Sequence, residues 1–179
     1  MSLDPRPIKQ ATPPIREPGA QRMSPVITDQ LLVYCLKITV LSLLAATSLQ
    51  TVATFVVHMA GMPSPPVPRI GLEVRDWLGA GLLSPLLESL FVWAAGSLIR
   101  GMTPTVWVPS LAIGLIAGVA HGAIHPMWFF GPAASFTVFA WAWLRWRDAG
   151  RSRHFLILLI PHMLQNIAVL SLQVLVDRF

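Results

Sequence analysis

The chain is apolar for some twenty residues at a time, again and again, and no other feature restricts its fold as much. The runs cover Leu31 to Val57, Trp77 to Ile99, Val106 to Ile124, Met127 to Leu144 and Phe155 to Val176. At 1.5 Å of rise per residue, a helix of about 20 residues crosses the roughly 30 Å of hydrocarbon in a bilayer. Lipid offers the backbone no hydrogen-bond partner, so such runs must be helices that satisfy themselves. A soluble domain of 179 residues has no interior large enough to bury them all, and charged residues make up only 12% of the chain, about half the usual share. The sequence therefore predicts an all-α, polytopic transmembrane bundle of about five spans.

The segments between the runs set the topology. Residues 1–27 hold six prolines, four basic residues and no apolar periodicity, which predicts a disordered, basic, cytoplasmic tail ahead of a transmembrane domain over 28–179. The first apolar run starts too far in, and is too long, for a secretory signal. Prolines 63, 65, 66 and 68 forbid helix between Gly61 and Val74, Gly101 to Pro104 make a turn, and Gly131-Pro132 interrupts the start of the fourth run. Arg145, Arg147, Arg151 and Arg153 form a basic loop before the last. With the N-terminus inside, nine basic residues fall on the inner side and three on the outer, so the expected orientation is N-terminus cytoplasmic and C-terminus outside. A bacterial inner membrane is the expected location. The net charge of +5 lies in the tail and loops, not in a stripe, which points to membrane lipid as a partner and away from nucleic acid. The lone cysteine, Cys35, reads as a small packing residue.

Against this background a few polar residues stand out. Of eight acidic residues, only Glu88 falls in the middle of a run, where a charge costs on the order of 2.5 to 3.5 kcal/mol on insertion scales. His121 lies near the end of the third run. His162 lies inside the fifth with Asn166 four residues on, so those two share a helix face. His125 falls beyond the expected end of the third span and outside this group. His58 and His154, at span ends, read as interfacial, as do the tryptophans at 77, 128, 141, 143 and 146. A carboxylate can activate water as a general base, and an imidazole or carboxamide can donate to a developing oxyanion. Pro85 and Pro161 each remove a helical hydrogen bond, freeing the carbonyls of Gly81 and Ile157, within a turn of these candidates.

The stretch Ser84-Pro85-Leu86-Leu87-Glu88-Ser89-Leu90-Phe91, the apolar helix ending at His121, and Pro161-His162-Met163-Leu164-Gln165-Asn166 together resemble the CPBP family of intramembrane proteases, which includes the Ras-converting CAAX prenyl endopeptidases. That family carries Glu-Glu-x-x-x-Arg, Phe-x-x-x-His and His-x-x-x-Asn motifs on successive helices. The likeness covers roughly residues 76–176. It implies a peptidase with Glu88 as catalytic glutamate and His121, His162 and Asn166 completing the site, acting on a membrane-anchored protein or peptide. The second Glu of the first motif is Ser89 here, its Arg is Trp93, and the Phe of the second is Ala117. Positions 89 and 93 pair on one helix face in the family, so their joint replacement reads as the loss of a structural pair, and Ser89 is expected to be non-catalytic.

The resemblance also implies glutamate chemistry without a cofactor; the alternative is zinc held by Glu88, His121 and His162. Gly114-x-x-x-Gly118 reads as close packing within the bundle. Two rival functions use the same features. One is an inactive scaffold or bacteriocin-immunity-type protein of the same fold. The other is an ion conduit with Glu88 as relay, which would need polar residues leading to both surfaces.

Overall fold

A computed structural model describes residues 25–63, 73–99, 105–146 and 151–176. Among them all regular structure is helical. The basic tail up to residue 24, the prolines at 65, 66 and 68, the turn at 101–104 and most of the basic loop lie outside the described residues.

Helix α1 (Pro25–Met59) opens with a proline, which a helix's first turn tolerates because its N–H would have no partner there. Residues Leu31, Cys35, Ile38, Ser42, Ala46 and Ala53 are buried. Their spacing of three, four and finally seven residues makes a single stripe along the helix. Between and beyond them Leu32, Leu36, Val40, Leu44 and Phe55 stand exposed. Apolar side chains on the outside of a bundle face lipid, so the pattern of a soluble helix is inverted.

Helix α2 (Val74–Leu78) runs through a π segment at Gly79–Leu83 into α3 (Ser84–Ile99). Asp76 accepts a hydrogen bond from the Glu73 N–H at 3.0 Å, which starts this span three residues earlier than Trp77. After α4 (Trp107–Gly122), a 3₁₀ turn at Pro126–Phe129 leads into α5 (Phe130–Arg145), and α6 (Arg151–Val176) closes the chain. Pro132 falls in the first turn of α5 and is absorbed there. Pro161 lies inside α6 without ending it.

Among the described residues, four helical segments are long and apolar enough to cross a membrane: Gln30–Met59, Val74–Ile99, Pro126–Arg145 and His154–Val176. The third expected span is shorter than the sequence suggests. Helix α4 has 16 residues, about 24 Å at 1.5 Å per residue, because the chain turns at Ala123 and Ile124.

Helix α5 forms the middle of the bundle. Phe139, Ala140, Ala142 and Trp143 are fully buried, and Ile157, Leu158 and Cys35 pack around them. Two expectations fail here. Trp143 is no interfacial anchor, and a Cβ on Gly96 would run into its ring, so Gly96 makes the room it needs. His154 is buried as well. Its ring stacks on Trp143 at 4.7 Å, and its Nε2–H donates to the Trp143 carbonyl at 2.9 Å. An imidazole with both a ring to lie on and a carbonyl to bond has no need of the interface. The glycine pair behaves as expected. A Cβ on Gly114 would overlap Thr137 Oγ1, and one on Gly118 would lie 2.8 Å from the Ala133 methyl, so α4 and α5 touch along their backbones.

Candidate functional site

Glu88 lies one turn into α3, four residues after Ser84, on the same face. The Ser84 hydroxyl donates to Glu88 Oε1. The other carboxylate oxygen, Oε2, lies 3.8 Å from His121 Nε2 and 3.6 Å from His162 Nε2. Three helices thus bring a carboxylate and two imidazoles to one point. The separations exceed the 2.7 to 3.2 Å of a direct hydrogen bond, so the three groups face one another without a direct bond between them.

The two histidines are held differently. His121 comes from the last turn of α4, and its Nδ1 lies 2.8 Å from the carbonyl oxygen of Ala117, one turn back. A carbonyl only accepts, so Nδ1 carries a hydrogen and Nε2 is the nitrogen turned towards Glu88. His162 comes from the middle of α6 and is almost wholly buried. The edge of Phe136 meets it at 4.9 Å and Phe139 lies 5.3 Å away. Its Nδ1 has a neighbour that sequence reasoning left without a role: the Ser89 hydroxyl, fully buried, at 3.5 Å.

Asn166 does not join the carboxylate directly. Its Nδ2 donates to the Ala80 carbonyl at 2.8 Å, and the reason is local. In the π segment the Ser84 N–H bonds the Gly79 carbonyl, five residues back. The next pair in that register would be Ala80 with Pro85, which has no N–H to give. The carbonyl left over is filled by Asn166, which ties α6 to the segment leading into Glu88. The carbonyl it reaches is one residue before Gly81, where an unbroken α-helix would free it. His125 stands apart from the group, as expected. It caps the 3₁₀ turn after α4, tilted against Trp128 at 6.0 Å, with neither ring nitrogen hydrogen-bonded among the described residues.

No family model, curated protein or solved structure matches this chain. The likeness to the CPBP proteases therefore rests on the motifs alone.

A cavity of about 280 Å³ opens beside Glu88 and His121, between α3 and α4. Apart from those two its walls are apolar, including Phe91, Val92, Ala95, Ile113, Ala117 and Phe136. Phe91 and Leu87, at its edge, are exposed on the lipid-facing surface. The arrangement is an apolar groove open to hydrocarbon with its polar groups at one end. Among the described residues, no three side chains of the metal-binding types form a ligand set.

Sequence reasoning also missed a second polar cluster. The Ser42 hydroxyl donates to Gln165 Oε1, and Gln165 Nε2 donates to Ser135 Oγ at 2.6 Å, joining α1, α6 and α5. Nothing in the spacing of Ser42 or Ser135 announces it, because the partners are 123 and 30 residues away along the chain.

Proposed function

We propose that this protein is an intramembrane peptidase of the CPBP type, which hydrolyses a peptide bond in a membrane-anchored protein or peptide with water activated by Glu88. The observation that supports this most is the meeting of Glu88 Oε2 with Nε2 of both His121 and His162, each within 4 Å and each from a different helix. Ionisable groups are costly in hydrocarbon and sit there in working sets. The groove adds the second requirement, since it lets an apolar segment pass from lipid to the carboxylate. Ala117, where the family has Phe, helps keep that groove open.

The chemistry follows from the geometry. Glu88 takes a proton from the water, and the water oxygen adds to the scissile carbonyl carbon. The carbonyl π pair moves onto oxygen, where an imidazole N–H stabilises it. The C–N bond then breaks, and the leaving amine takes the proton that Glu88 removed. The products are a carboxylic acid and an amine, which together contain the peptide and one water. Asn166 and Ser84 position Glu88, one through the backbone before it and one through Oε1.

The test compares membrane proteomes of cells expressing the wild type and Glu88→Gln. New protein termini present only with the wild type support the peptidase. Identical termini give the scaffold or immunity reading its place. Zinc at Glu88, His121 and His162 predicts that a chelator abolishes the cleavage, whereas glutamate chemistry survives it. The orientation we propose, N-terminus cytoplasmic in a bacterial inner membrane, places a reporter after Pro65 outside. A reporter after Ala149 falls inside if the short α4 counts as a crossing, and outside if it does not.

A further inference from the structure

Most hydroxyls in this bundle are satisfied locally. Thr39, Ser97, Ser110 and Thr137 each donate to the carbonyl four residues back, the usual outlet for Ser and Thr in a helix. Ser89 differs. Its hydroxyl is fully buried, and among the described residues its recorded contact is His162 Nδ1. Glu88, the preceding residue, faces Nε2 of the same ring. Adjacent residues of α3 therefore address the two nitrogens of one imidazole, whose faces and edge lie among the phenyl rings of Phe136 and Phe139.

The proton count then becomes definite. A buried O–H needs an acceptor, and a bare Nδ1 is the one within reach of Ser89. If Ser89 donates there, the neutral His162 ring carries its hydrogen on Nε2 and points it at Glu88. His121 is fixed the opposite way, with a hydrogen on Nδ1 against Ala117, so that its neutral form has a bare Nε2. We propose that Ser89 is a positioning residue that sets His162 in the Nε2–H tautomer, so that the two imidazoles beside Glu88 are one donor and one acceptor. Building on the peptidase reading, this assigns the parts. His162 turns an N–H to the reacting centre, while the His121 lone pair accepts a hydrogen bond from the attacking water. The position where the family carries its second glutamate is thus not vacant here. A neutral hydroxyl does the orienting, and a second carboxylate beside Glu88 is avoided.

The measurement is ¹⁵N spectroscopy of the full chain in lipid nanodiscs, with histidine ring nitrogens labelled and signals assigned by His121→Gln and His162→Gln. A bare ring nitrogen resonates far downfield of a protonated one. The expected wild-type pattern is a bare Nδ1 with protonated Nε2 for His162, and the reverse for His121. Ser89→Ala should erase the bare-Nδ1 signal of His162 and leave His121 unchanged, while Ser89→Thr, which keeps a hydroxyl, should retain it. A His162 ring protonated on Nδ1 in the wild type overturns the proposal. So does a Ser89→Ala spectrum identical to wild type, or a loss of the signal in Ser89→Thr. Should Ser89→Ala fail to fold, the wild-type pattern alone still decides the tautomers. The spectrum is read whether or not any bond is cleaved. Failure of the peptidase reading appears in the proteome comparison, and failure of the tautomer assignment here.

Discussion

Helix α6 carries two polar clusters less than a turn apart, and they are built to opposite rules. Around Gln165, every partner is neutral and the bonds are short, with Gln165 Nε2 at 2.6 Å from Ser135 Oγ and Ser42 donating to Oε1. All three side chains are buried, so the network is closed to solvent. Around Glu88, the two imidazoles stand 3.6 and 3.8 Å from one carboxylate oxygen, with more than a quarter of the Glu88 and His121 side chains exposed. A saturated network rigidifies a bundle. An open one of ionisable groups contributes little to folding and leaves space for a water and a reacting bond. The closed cluster fixes the rotation of α6, and that rotation aims His162 at the open one and Asn166 at the Ala80 carbonyl.

The largest effect that would break this comparison is on the open side. Glu88→Gln keeps an acceptor for the Ser84 hydroxyl but removes the base. The rate at which the new terminus appears should fall by about 10² to 10⁴-fold, the usual share of general-base catalysis, with the unfolding midpoint in detergent unchanged. A fall of less than tenfold would show that the carboxylate is not the base.

Next comes Gly114→Ala, where the added methyl meets Thr137 Oγ1 and the Ala133 carbonyl. Overpacking of this kind costs about 1 to 3 kcal/mol. It pushes α4 off α5, so cleavage should drop through His121 while the Gln165 cluster stays intact. Equal stability of Gly114→Ala and Gly79→Ala, whose Cβ meets nothing within 4 Å, would refute the close contact.

Gln165→Leu takes both hydrogen bonds from Ser42 and Ser135, and should lower stability in lipid by on the order of 1 kcal/mol. Cleavage per folded molecule should stay close to wild type. A loss as deep as that of Glu88→Gln would mean that the two clusters are one.

Asn166→Ala is the mildest, removing a single bond to the Ala80 carbonyl, worth about 0.6 kcal/mol on average inside membranes. Its signature is local. Amide exchange should quicken in the π segment Gly79–Leu83 and remain slow in α5.

What the sequence determined was set by chemistry that needs no partner. Long apolar runs dictate helices, since lipid leaves the backbone no alternative. The cost of a carboxylate in hydrocarbon singled out Glu88, and the four-residue spacing of His162 and Asn166 put them on one face. Tertiary structure decided what depends on partners distant in the chain. Trp143 and His154 look like interfacial residues until stacked together in the core. Ser42, Ser135 and Gln165 are ordinary span residues until three helices meet. Ser89 had no role on its own helix, because the ring it faces belongs to α6. Asn166 read as a donor to substrate, but a π register and a proline without N–H left it a carbonyl to fill. A helix's own periodicity fixes which face a residue takes, and the neighbouring helix fixes what that face does.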